Sequence, residues 1–243
     1  MSTPLQLTAA ACLAAALAAP AAAAPAAEPF DERQKAALGQ IIHDYLVTHP
    51  EVLIEASQAL EQRQSALQER ARGEAVAYFT ADPGTPHRRG RGGNYLIEFF
   101  DYNCGYCKKA RVHTQQLIAE HDMDAYYIEY PILSNASVQA AAIGLALYRS
   151  EPERYFAYQN LLMGRSARVE GLEDVRSALQ EVGADAEAVI TRAREPDIQE
   201  ALVKNLELGK KMGVMGTPYF IINDQAILGG FASAGDLERY LRR

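Results

Sequence analysis

A six-residue apolar run, Tyr95-Leu-Ile-Glu-Phe-Phe100, passes through three residues to Cys104-Gly-Tyr-Cys107 and then into helix-forming sequence. A short run of bulky residues reads as a buried strand. A strand feeding a helix through so short a turn packs that helix back onto its own sheet, which is an α/β layer arrangement. Further strand signals at 125–133, 219–222 and 226–228 supply neighbours, and Asn223-Asp224 suits a tight turn between the last two. Between 138 and 213, periodicity predicts helices over 139–149, 152–164, 172–182, 186–194 and 197–212. Ser233 is expected to cap a last helix, with Leu237, Tyr240 and Leu241 on its apolar face. The expected class is α/β: a small mixed sheet with a helical insertion before its final hairpin.

The 243 residues exceed one domain of about 150, and the excess lies at the N-terminal side. Residues 4–27 carry no charge, and their apolar core at 9–19 is shorter than the roughly 20 residues a membrane span needs. Small residues follow it, so 1–27 reads as an export signal cut after Ala21, Ala24 or Ala27. Residues 28–80 read as two helices parted at Pro50, because proline pushes its predecessor out of the helical region and fits a first helical turn. Leu38, Ile41, Ile42, Tyr45 and Leu46 share one face, and Leu46, Leu53, Leu60 and Leu67 recur every seven residues. The positions between, Ala56, Gln64 and Ala71, are small or polar. So narrow a stripe does not stabilise an isolated helix, and 28–80 is expected to be a self-association stalk. Residues 81–93 hold two Pro and four Gly and read as a linker, with His87, Arg88, Arg89 and Arg91 as a solvated hinge rather than an anion site. The catalytic domain is expected over 94–243.

A formal charge of −7, from 24 basic and 31 acidic residues, argues against nucleic acid as a partner. Three cysteines are too few for a disulfide scaffold. Cys12 falls within the signal, so the exported chain keeps Cys104 and Cys107. At a helix start, unpaired N–H groups and the positive dipole end stabilise a thiolate. A lowered pKa makes Cys104 a nucleophile near neutral pH. Cys107, one turn on, is placed to bond it or to resolve a mixed disulfide. A zinc site needs about two further ligands, and His113, His121, His43 and His49 are scattered along helices. No metal and no cofactor is expected. Glu98 is a carboxylate in an apolar strand, costly to bury unless it serves. Burial raises its pKa and lets it exchange a proton with Cys107. Gly216-Thr217-Pro218-Tyr219 precedes a strand, and a cis bond at Thr217–Pro218 would offer the Thr217 backbone as an edge for a client peptide.

Together these features resemble the thioredoxin fold, and the helical insertion resembles its DsbA branch. FFDYNCGYCKK, with HPEVLIEASQALEQRQ in the N-terminal helices, resembles the ScsC-like exported members of that family. The resemblance implies Cys104 as attacking thiol, Cys107 as resolving thiol, Glu98 as the buried acid, and Thr217 and Pro218 as the cis-proline loop. Gly105 and Tyr106, with Thr217 and Pro218, would then contact the client. The Gly-Tyr pair and the Thr before the proline resemble the DsbC-type isomerase. The implied protein is a periplasmic disulfide isomerase or reductase, a homo-oligomer with a trimer ahead of a dimer, acting on cysteine-containing clients and served by a DsbD-like membrane partner. The competing readings are a monomeric dithiol oxidase, a copper-protective thiol protein binding metal through the reduced pair, and a chaperone without redox chemistry.

Overall fold

The computed structural model describes residues 30–228 and 233–242. The expected signal at 1–27, with Cys12, lies outside the described residues. The described chain falls into two compact units, one ending at Ser57 and one beginning at Gln58. No helix among the described residues is long and apolar enough to cross a membrane.

In the first unit, α1 (Glu32–Thr48) opens with a reciprocal cap. Asp31 accepts from the Gln34 N–H at 2.8 Å, and the Gln34 side chain accepts from the Asp31 N–H at 2.9 Å. The helix stops before His49-Pro50, and α2 (Glu51–Ala81) begins beyond the proline. None of the α1 side chains is buried. Ile41, Ile42, Tyr45, Leu53 and Ile54 are all exposed.

The second unit holds a five-stranded sheet in the order β1-β3-β2-β4-β5. Its strands are β1 (His87–Arg88), β2 (Tyr95–Phe100), β3 (Asp124–Glu129), β4 (Tyr219–Ile222) and β5 (Gln225–Leu228). β2 and β3 run parallel, and the other pairs are antiparallel. The helices are α3 (Gly105–His121), α4 (Asn135–Ser150), α5 (Pro152–Gly164), α6 (Leu172–Glu181), α7 (Ala186–Arg192), α8 (Pro196–Lys211) and α9 (Gly235–Glu238). Alternation along β2 divides the core. Ile97 and Phe99 pack with Ala75, Val76 and Phe79 from the end of α2 and with Leu208 and Met212 near the end of α8. Phe99 is the hub, with the rings of Phe79, Tyr130 and Tyr219 edge-on at 5.6–5.7 Å. Leu96 packs against Ala110 and Leu117 of α3, while Phe100 joins the larger cluster built from α4, α5 and the helices after them.

Four local expectations are corrected. The stretch read as a linker contains β1. His87 stacks on Tyr126 at 4.1 Å and bonds Asp124 at 2.9 Å, and the Arg88 guanidinium covers the Phe156 ring. These residues edge the sheet rather than a solvated hinge. The strand expected to reach Leu133 ends at Glu129, because Pro131 has no N–H for a ladder and Asp101 captures the next two amides. The helix expected from 139 begins four residues earlier, at Asn135, because Ser134 caps it by accepting from the Ser137 N–H at 3.1 Å. At the other end, Ser233 does not cap α9, whose N-cap residue is Ala234. The Ser233 N–H donates to the Asp236 carboxylate at 3.0 Å, and α9 is a single turn that buries Leu237.

Candidate active site

Cys104 occupies the N-cap of α3, in extended backbone. Its sulfur accepts the Cys107 N–H at 3.1 Å, and its thiol donates to the Thr217 carbonyl at 3.2 Å. The two cysteines are free thiols, 4% and 0% exposed. Their electrostatics differ. The Cys107 S–H hydrogen bond pulls the Cys104 pKa down to about 6 against the opposing effect of burial, helped by Thr217 and by the N–H groups of Cys107 and Tyr106. Burial pushes the Cys107 thiol well up, and its bond to Cys104 and the Cys104 charge add to that. One sulfur is thus poised as thiolate and the other held protonated. The Thr217 hydroxyl is buried with no aligned partner among the described residues, but it faces the sulfurs and favours their charged forms. The Thr217–Pro218 bond is cis. Gly105 and Tyr106 are exposed, with Tyr106 at 76%. The chain fold therefore brings Cys104, Cys107 and Thr217 together from positions more than a hundred residues apart.

Glu98 lies on β2, on the face shared by Leu96 and Phe100, and is 1% exposed. Neither carboxylate oxygen has a hydrogen-bond partner among the described residues. Burial raises its pKa to about 7, the Arg111 guanidinium pulls it down, and the Cys104 charge pushes it up. Arg111, on α3, is itself buried and bonds the side-chain amides of Gln159 and Asn160. Its guanidinium lies 6.0 Å from the ring of Tyr127, the residue paired with Glu98 across the sheet.

Sequence reasoning overlooked three residues that hold this site. Asp101 accepts from the Asn103 N–H and Ser137 hydroxyl on one oxygen and from the Ile132 and Leu133 N–H groups on the other. Asn103 donates to Ser134, Ser137 and the Val169 carbonyl, and accepts the Val169 N–H at 2.7 Å. Glu129, fully buried, accepts from Tyr102 at 2.7 Å and Tyr155 at 3.1 Å. Glu129 carried the same signal as Glu98, a carboxylate inside an apolar strand. Among the described residues, one group of possible metal ligands lies within 4.8 Å of one another: Glu120, His121 and Glu238, at the opposite end of α3 from the cysteines.

Residues 95–241 match the family of DSBA-like thioredoxin domains, and residues 34–66 match the copper resistance protein ScsC N-terminal domain. A thioredoxin-like oxidoreductase from Silicibacter pomeroyi is 32% identical, covering 67% of this chain and 92% of that one, with a TM-score of 0.61. Proteus mirabilis ScsC in a transitional conformation shares the fold at 24% identity and TM-score 0.61, covering 87% of this chain and 95% of that one. A Bacillus cereus protein named probable disulfide bond formation protein D is 24% identical over 141 residues, which cover 53% of this chain and 64% of that protein's length.

Proposed function

This chain belongs to the DSBA-like thioredoxin-domain family of thiol–disulfide oxidoreductases, and from that premise we propose that it is an exported, periplasmic, homo-oligomeric protein disulfide isomerase and reductase. The Cys104 thiolate attacks one sulfur of a client disulfide, forming a mixed disulfide and releasing the other client sulfur as thiolate. In isomerisation, a client thiolate attacks the client sulfur of the mixed disulfide and frees Cys104. In reduction, Cys107 loses its proton to Glu98 and attacks Cys104, leaving a Cys104–Cys107 disulfide and a reduced client. A DsbD-like membrane donor would then return the pair to thiols. The client backbone would pair beside Thr217 and Pro218, with Gly105 and Tyr106 at the contact. The apolar residues exposed on α1 and early α2 support self-association, and the resemblance to ScsC-like proteins puts a trimer ahead of a dimer in this proposal.

The observation that carries the reading is the environment of one sulfur. Cys104 is at a helix N-terminus, bonded by the Cys107 N–H and facing Thr217. The test is reactivation of scrambled ribonuclease by the reduced protein. Recovery is expected, and Cys104→Ala should abolish it. No recovery, or equal recovery by the variant, refutes isomerase activity. The match of 34–66 to a domain described by copper resistance favours a second reading, soft-metal binding by the two thiols, since that segment holds no cysteine of its own. Tight Cu(I) binding that survives a competing chelator, with negligible exchange activity, would favour it.

A further inference from the structure

A groove of about 770 Å³ opens beside the nucleophile, between α3 and the end of α5. It starts at Gly105 and runs past Lys108, Lys109 and Val112 to Gln115. Ten helical residues rise roughly 15 Å, which four or five extended residues span. The described residues that line it include no carboxylate, although the whole chain carries a charge of −7. Among the described residues, Lys108, Lys109 and Arg111 of its lining form no ion pair, although Arg111 acts on the buried Glu98 and the Cys104 charge acts on Lys108. Lys108 donates to the carbonyls of Arg165 and Ala167 at 2.7 and 2.9 Å, and Lys109 lies 5.7 Å from the Tyr106 ring. Among the described residues, the lining cation that bonds a carboxylate is Arg165 on the opposite wall, paired with Glu181. Burial lowers the Lys108 pKa, the nearby charge of the exposed Arg168 adds to that, and the Cys104 charge opposes it. Neither the carbonyl bonds of Lys108 nor the ring contact of Lys109 brings an opposite full charge, so an anion arriving here gains attraction that the free protein leaves unused.

We propose that this groove receives an acidic, extended segment of the client, so that carboxylates within about five residues of the target cysteine favour capture. The proposal rests on the reading of the chain as exchanging disulfides with clients. The occupant is set by charge complementarity: a net negative protein repels acidic peptides at long range, so any preference for them has to arise locally.

The experiment uses the full-length reduced protein and three peptides, each bearing one cysteine as a mixed disulfide with the same chromogenic thiol. The flanks are acidic, neutral or basic. At low salt the acidic peptide is expected to react about 10-fold faster than the basic one, and at about 0.5 M salt the ratio should fall below about 2. In the double variant Lys109→Glu with Arg168→Glu the low-salt ratio should drop to one or invert. Comparing ratios between proteins cancels the intrinsic reactivity of each peptide. Equal rates in the unaltered protein, or a ratio unchanged by the charge reversal, overturn the proposal. Absence of reaction with all three peptides, the neutral one included, would instead refute the exchange activity on which it rests.

Discussion

At the scale of single residues, two acids of opposite habit sit near one another. Cys104 ionises at about 6 in the fold against a reference of 9.0, so between those values the folded reduced protein binds fewer protons than the unfolded chain. Its contribution to stability rises with pH across that window and is lost as pH falls through about 6. Glu98 does the reverse. Its folded pKa of about 7 exceeds its reference of 4.5, so it holds its proton in the fold and stability falls as pH rises between the two. Glu98→Leu is therefore expected to raise the melting temperature of the reduced protein, more at pH 8 than at pH 4. Melting curves at both values check this, and an equal loss of stability at each would contradict the burial argument. Glu98→Gln should slow resolution by Cys107 by about 100-fold while leaving attack by Cys104 within a few-fold, as rapid-mixing kinetics would separate. Glu98 was legible because a lone carboxylate in a strand has no local means of staying hydrated. Glu129 offered the same sign, but its partners Tyr102 and Tyr155 lie 27 and 26 residues away, on other elements.

At the scale of elements, the start of α3 is held by side chains just before it. Asp101 gathers the backbone after β3, and Asn103 fastens the loop after α5 at Val169. Lys108 holds the same loop at two carbonyls. Asn103→Ala leaves the Val169 N–H and carbonyl without these partners and is expected to cost about 1–3 kcal/mol. Urea unfolding would measure the loss, and hydrogen exchange at Val169 should accelerate beyond the change in global stability. Unchanged protection there would mean the loop is held elsewhere. The helices and central strands were readable from periodicity, since each repeats a local pattern. β1 was not, because two residues in a Gly- and Pro-rich stretch have no period. They become a strand only through Ala125 and Tyr126 of β3.

At the scale of the whole molecule, α1 and early α2 carry apolar residues that the described chain leaves exposed. The expected outcome is self-association of the full-length protein, and Ile41→Asp with Leu53→Asp should yield a monomer in sedimentation. Loss of multivalent capture should then lower reactivation of scrambled ribonuclease by about 10-fold or more. An unaltered protein that sediments as a monomer would remove the oligomeric part of the reading. Deletion is a poorer test if it reaches residue 80, because Ala75, Val76 and Phe79 belong to the same core cluster as Phe99.

By itself the amino-acid order determined the alternation of strands and helices, the position of the cysteine pair at a helix start, and the isolation of Glu98 in an apolar strand. All of these are short-range properties, set by periodicity and by what a single residue tolerates. Only tertiary structure decided that Thr217 meets the Cys104 sulfur, that Cys107 is sealed from water, and that Lys108 and Arg165 line one groove. Those outcomes depend on which surfaces the sheet and helices bury against each other. That choice is made by packing across the whole domain, and no local window of sequence contains it.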